Sequence, residues 1–146
     1  MLLEPWFSNR TKSIVKSPKL YLADTGVLCA LVNIRTVEGL RQAPAAGAVW
    51  ETFVFAQLRA RERRAGRVGS LFFWRDRTRE VDFVVDVASK QELFEAKWNE
   101  VPTVADSVNL EFVQRSWQVA NCQRRGRLPD AQELCTLQRL SGTPCG

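Results

Sequence analysis

The chain has 146 residues, 45% of them hydrophobic and 25% charged, a composition expected of one soluble globular domain large enough to bury a core. Lys and Arg number 21 against 16 Asp and Glu, a net charge of +5, which suits a polyanionic partner and equally suits well-solvated helix faces. Histidine is absent, so imidazole acid–base chemistry, Ser–His and Cys–His nucleophiles and His-ligated metals are excluded together; any chemistry must come from carboxylates, lysine, hydroxyls or a hard cation held by oxygens.

No apolar run approaches the roughly 20 residues that a bilayer crossing requires. The opening "MLLEPWFSNR" has no basic segment followed by an apolar one, so a signal peptide is not expected. The four cysteines, Cys29, Cys122, Cys135 and Cys145, lie far apart without a CxxC. A reduced, cytoplasmic protein without zinc is therefore expected, with Cys29 as a small core residue.

In chain order, residues 1–16 read as a lead-in and 17–120 as the core of a single domain. "SPKLYLAD" (17–24) reads as a short strand after a Pro-marked turn, and "TGVLCALV" (25–32) as a short apolar helix. "RTVEGLRQAPAAG" (35–47) is a loop or a frayed helix, interrupted by Gly39, Pro44 and Gly47. The clearest helix spans 48–64, with Trp50, Phe53, Val54 and Leu58 at three- and four-residue steps and an Arg-rich last turn that suits the helix dipole. Gly66 and Gly69 stop it.

Three strands are expected next, at 70–75, 80–87 and 92–98, joined by short connections into an antiparallel meander. In the middle strand Val81, Phe83, Val85 and Val87 share one face, and Glu80, Asp82, Val84 and Asp86 the other. In the third, Glu95 and Lys97 face away from Phe94, Ala96 and Trp98. Asp82, Glu95 and Lys97 are thus expected on one surface. Trp50, Trp74 and Trp98 are expected in the core. A helix follows over 106–123 with Asp106 as N-cap, then a segment at 128–140 that reads as helix or strand, and a loose tail.

A strand Asp beside a neighbouring Glu-x-Lys can hold a hard divalent ion through two carboxylates and place an ammonium where phosphoryl charge develops. By spacing alone, Glu95 and Lys97 read as simply as an exposed ion pair worth under about 1 kcal/mol, with Asp82 discouraging edge pairing. The basic runs 59–67, 75–79 and 123–127 offer phosphate contacts or plain solubility.

The order of these elements resembles the PD-(D/E)XK nuclease-like core. The segments "SPKLYLADTGVLCALV", "GAVWETFVFAQL", "LFFWRDRTREVDFVV" and "ELFEAKW" more closely resemble an uncharacterised domain found C-terminal to the P-loop ATPase module of many prokaryotic AAA+ proteins. The resemblance runs over residues 6–98. It implies an α/β, restriction-endonuclease-like core: a central mixed sheet with the three-strand meander, flanked by helices. By position it implies catalytic roles for Glu51, Asp82, Glu95 and Lys97, and ligation of Mg2+ or Mn2+ by Asp82, Glu95, the Ala96 carbonyl and Glu51. Val81 stands where the wider superfamily has its eponymous Pro, and Glu80 is an additional acid in the same motif. The implied partners are nucleic acid, DNA foremost, contacted by Arg59, Arg63, Arg64, Arg75 and Arg77, and an AAA+ ATPase module. GxxxxGK[ST] is missing, so no nucleotide site is expected in this chain, which reads as a piece of a longer protein or a stand-alone remnant. The implied function is a metal-dependent phosphodiesterase; the alternative is an inactive accessory module that binds DNA or a protein and regulates a linked ATPase.

Overall fold

The computed structural model describes residues 1–7, 16–88, 90–98 and 104–124, with side chains in the last stretch described over 107–117. Strand β1 (Leu2–Leu3) pairs antiparallel with β2 (Lys19–Leu20). Helices α1 (Thr25–Leu31), α2 (Val37–Gln42) and α3 (Ala46–Arg64) follow, then β3 (Leu71–Arg75), β4 (Glu80–Val87), β5 (Lys90–Phe94) and α4 (Val104–Arg124). Strands β3, β4 and β5 form the expected antiparallel meander in sequence order. The protein is therefore of mixed α/β type. Parallel pairing enters the described part only at the bridge between Pro5 and Phe73. There Phe73 N–H donates to the Glu4 carbonyl and Trp6 N–H to the Phe73 carbonyl, so the chain's opening residues run along β3. Residues 1–7 of the expected lead-in thus pair with β2 and bridge to β3, with Leu3 only 2% exposed.

The strand expected over 17–24 is cut to two residues. Asp24 leaves it to cap α1, its carboxylate accepting from Val27 N–H, a preference that outweighs strand extension at an Asp-Thr-Gly sequence. The segment at 35–47 contains the short helix α2, capped by the Thr36 hydroxyl accepting from Gly39 N–H. Helix α3 begins two residues before the expected start, just after Pro44, which can lead into a first turn but not continue one. It ends in a Schellman arrangement: Gly66 adopts φ +71°, Arg67 N–H donates to the Glu62 carbonyl and Gly66 N–H to that of Arg63.

The buried face of α3 is Ala46, Val49, Thr52, Phe55, Leu58 and Glu62, rotated from the expected stripe. Phe53 is exposed and Trp50 half-buried. The core joins Phe55 and Leu58 to Leu3, Tyr21, Phe73 and Phe83, with the Tyr21 and Phe55 rings stacked at 4.4 Å. Trp74 and Trp98 are not core residues either, being half-buried and exposed respectively. Trp50, Phe53 and Trp98 instead line an open apolar hollow of about 330 Å3 with Cys29, Leu40 and Val49, and Cys29 is only half-buried.

Helix α4 starts two residues ahead of the expected one, which places Asp106 in its first turn rather than at the cap. The chain divides into two compact units, Met1–Ser107 and Val108–Gly146. The segment at 128–140 and the tail lie outside the described residues. Among the described residues no helix is long and apolar enough to cross a membrane.

Candidate functional site

Asp82 owes its position to an irregularity that alternation does not reveal. The β3–β4 register moves by one between Phe72↔Val84 and Trp74↔Val81, so Asp82 and Phe83 together face the single residue Phe73. Such a bulge bends the strand and re-aims its side chains. Phe83, Val84 and Val85 are buried consecutively, so both faces of β4 are covered along this stretch.

Strand β5 was expected to carry Glu95 and Lys97 in its ladder. It ends instead at Phe94, paired with Phe83. Two residues beyond Phe94, the Asp82 carboxylate accepts the Ala96 amide N–H at 2.9 Å. A charge-assisted bond of this kind replaces a backbone pair. Ala96, expected to offer its carbonyl, is thus tied to Asp82 through its N–H. Glu95 is 9% exposed and pairs through Oε1 with Lys97 Nζ at 2.7 Å, while its Oε2 is buried with no hydrogen-bond partner among the described residues.

Glu51 comes from the first half of α3 and is linked to the β4 acids through Lys19. The Tyr21 hydroxyl donates to Glu51 Oε1, and Lys19 Nζ reaches the same oxygen at 3.0 Å. Lys19 also contacts Glu80 Oε1 at 2.5 Å and Asp82 Oδ1 at 3.6 Å. Glu80 is held on its far side by Arg75. One mostly buried ammonium therefore serves carboxylates from both α3 and β4.

The titration properties follow from this crowding. Burial, with the nearby Glu95 and Glu51 charges, pushes the Asp82 carboxyl up to about 6, against the Ala96 amide and Lys19. Burial and Glu51 hold the Tyr21 hydroxyl far above the usual tyrosine range, so it remains a neutral donor. Burial alone would lower Lys19, but its bonds to Glu80 and Glu51 raise it. Glu80 is likewise opposed by burial and nevertheless lowered by Arg75 and Lys19.

Four of the expected site residues, Glu51, Asp82, Glu95 and Lys97, thus fall in one neighbourhood. Arg75 joins its rim through Glu80. Arg77 lies exposed in the turn after β3, and Arg59 is half-buried on α3. Arg63 and Arg64 are exposed at the C-terminal end of α3; Arg63, twelve residues on from Glu51, is about 18 Å farther along the axis. The basic run at 123–127 has no described side chains. Lys19 and Tyr21 were missed. Their one signal in the sequence is their i, i+2 spacing in "KLYLAD", which puts a charge and a hydroxyl on one face of an otherwise apolar stretch.

Among the described residues no three acidic or thiol side chains are arranged to cage a metal ion. Oxygen donors from two carboxylates nevertheless fit Mg2+ or Mn2+, because such ions are commonly held by one or two carboxylates with water and substrate oxygens filling the shell. The buried, unpartnered Glu95 Oε2 is the observation that supports this fit, on a residue near enough for its charge to act on Asp82.

Comparison with known proteins places the chain in a family. Residues 46–135 match the model of a domain of unknown function, DUF4143, and residues 1–38 match that of a second, DUF8612. The chain belongs to the DUF4143 family. It is 35% identical over 112 residues to uncharacterised proteins of Mycobacterium bovis (Mb2031c) and Mycobacterium tuberculosis (Rv2008c). That similarity covers 76% of this chain but 24% of each relative, so the chain spans about a quarter of the length of the curated relatives it matches. No solved structure matches it significantly.

Proposed function

We propose that this chain is a PD-(D/E)XK-type phosphodiesterase domain that hydrolyses nucleic acid, DNA foremost, with Mg2+ or Mn2+. The observation that carries the reading is the convergence of Asp82 and Glu95, one with a raised pKa and the other with a buried, unpartnered oxygen. Asp82 and Glu95 would hold the ion, with the Ala96 carbonyl as a further ligand and Glu51 completing the acidic group directly or through water. When bound, the ion supplies a more acidic water and offsets charge on the phosphoryl group. Lys97, paired with Glu95 at 2.7 Å, orients the attacking water and stabilises the developing oxyanion. Tyr21 fixes Glu51 through a donor that does not ionise at working pH. Arg75, beside Glu80, faces the strand's entry to the site and contacts substrate phosphate.

A second reading is favoured by Lys19. An ammonium already seated among Glu51, Glu80 and Asp82 supplies internal neutralisation, as in an accessory module that binds DNA or a protein and regulates a linked AAA+ ATPase without cleaving anything. Nicking of supercoiled plasmid and of single-stranded DNA with Mg2+ or Mn2+ separates the two. The phosphodiesterase reading expects activity in the wild type and its loss in Asp82→Ala and Lys97→Ala. Equal activity in wild type and Lys97→Ala removes the catalytic assignment, and no activity in any of them favours the accessory module.

A further inference from the structure

We infer that Lys19 is a tethered counter-cation, which occupies the acidic pocket in the metal-free protein and must leave Asp82 for a divalent ion to bind. This inference rests on the metal-dependent reading above. Lys19 Nζ stands 3.0 Å from Glu51 Oε1, 2.5 Å from Glu80 Oε1 and 3.6 Å from Asp82 Oδ1. Its side chain is 18% exposed, so the charge is enclosed rather than waving in solvent. Two of the ammonium's three donors go to Glu51 and Glu80, and Asp82 is held by the longer ion pair alone. The fourth acid of the neighbourhood, Glu95, keeps Oε2 buried and unpartnered among the described residues.

The charges make the same point. Glu51, Glu80, Asp82 and Glu95 face Lys19, Lys97 and Arg75, which leaves one negative charge in excess, with Lys19, Asp82 and Glu95 mostly buried and Lys97 and Arg75 exposed. A hard divalent ion held by Asp82 and Glu95 would more than offset that excess and satisfy the orphan oxygen. It cannot do so with an ammonium against Asp82, because like charges at contact distance repel strongly at protein dielectric. Lys19 has somewhere to go. Glu80 lies at its shortest contact and is anchored by Arg75 on the other side. The ammonium can therefore surrender its longest contact, to Asp82, and remain paired. Ion binding is thus a competition between a soluble cation and one built into strand β2, and Lys19 sets the ion concentration at which the site fills.

The test is titration of the chelator-stripped full chain with MnCl2, followed by calorimetry and by melting temperature. Wild type is compared with Lys19→Gln, which removes the charge, and Lys19→Arg, which keeps it. Lys19→Gln is expected to bind Mn2+ at least about tenfold more tightly than wild type, and Lys19→Arg no more tightly than wild type. Removing the charge also leaves Glu51, Glu80 and Asp82 facing one another, so metal-free Lys19→Gln should melt lower and gain more from Mn2+ than wild type does. Lys19→Gln binding Mn2+ no more tightly than wild type overturns the inference, as does a Lys19→Gln protein that is unfolded and not restored by Mn2+. If wild type binds Mn2+ through Asp82, shown by loss in Asp82→Ala, while Lys19→Gln is no tighter, only the inference fails. If neither wild type nor Lys19→Gln binds Mn2+, the metal-dependent reading fails with it.

Discussion

Asp82 is held where ionisation is disfavoured, and the sign of that effect fixes how stability should depend on pH. Its carboxyl is raised to about 6 from an ordinary 3.8 by burial and neighbouring acids, so the folded protein holds the proton more tightly than the unfolded chain. The contribution is fully present below the unfolded value and is lost as pH rises through about 6. Metal-free wild type should therefore lose up to about 2–3 kcal/mol from this group between pH 4 and pH 7. Asp82→Asn keeps an oxygen to accept the Ala96 amide but has no charge to bury. Melting curves in the presence of chelator should show the variant more stable than wild type at pH 7.5 and converging with it near pH 4. A constant difference across that range would mean that Asp82 is not strained by its charge. Tyr21 offers the complementary case. Tyr21→Phe retains the 4.4 Å stack on Phe55 and deletes only the hydroxyl that bonds Glu51. It should cost about 1.5–3 kcal/mol, the range for a hydrogen bond to a charged group, measured by denaturant unfolding. A cost near zero would show that Glu51 takes water in its place.

At the scale of elements, two connections demand the same left-handed backbone but fill it with different residues. Gly66 closes α3 at φ +71°, where a Cβ meets nothing within 4 Å, so Gly66→Ala carries only the left-handed cost of about 1 kcal/mol. Ala88 sits at φ +56° in the connection that pairs Val87 with Lys90. There Ala88→Gly removes strain, partly offset by the freer unfolded chain, and should stabilise by about 0.5 kcal/mol. Opposite shifts in melting temperature are the expected result; a destabilising Ala88→Gly would mean that the turn tolerates alanine without strain. Near the end of α3, Glu62 ties that helix to the segment leading into β3. It is 2% exposed, and its carboxylate accepts from Arg67, Arg61 and Ser70. Arg67 above all holds its pKa down to about 2. Its contribution is present above the unfolded carboxylate range and is lost as pH falls toward 2. Glu62→Ala leaves two solvent-reached guanidinium groups without their shared acceptor and should cost about 1.5–3 kcal/mol at neutral pH, with a difference from wild type that shrinks in acid.

These elements also show what a sequence can and cannot disclose. Strand β4 was legible because Val81, Phe83, Val85 and Val87 alternate with a face carrying Glu80, Asp82 and Asp86, and α3 because its length and arginine-rich end are helical signals. The bulge at Asp82 was not, since alternation carries no mark of a register shift made by a partner strand. Nor was the end of β5 at Phe94, because it depends on a carboxylate from another strand capturing the Ala96 amide. Lys19 was hidden for a related reason. A two-residue strand has no period, and its meaning comes from Glu51, Glu80 and Asp82, which lie 32 to 63 positions further on.

For the whole molecule, the family boundary and the folding boundary do not coincide. The DUF4143 match runs from 46 to 135, across both compact units. Yet every member of the hydrophobic cluster, from Leu3 to Phe83, lies in the first, and so do Lys19, Tyr21, Glu51, Asp82, Glu95 and Lys97. The start of the chain, outside that match, supplies Leu3 to the core and the Trp6 indole N–H that donates to Asp86 at 2.8 Å. A fragment ending at Ser107 should therefore fold by itself, whereas one beginning at Ala46 should not. About 107 residues is ample for a two-state domain, and the fragment keeps its meander, α3 and the strand that carries Lys19. We expect a single cooperative thermal transition and a near-ultraviolet circular dichroism signal from the packed aromatics in the 1–107 fragment, and neither in the fragment 46–146. A 46–146 fragment that melts cooperatively would show that β1 and β2 are dispensable. Lys19 would then belong to an appended strand, and not to the folding core of the domain.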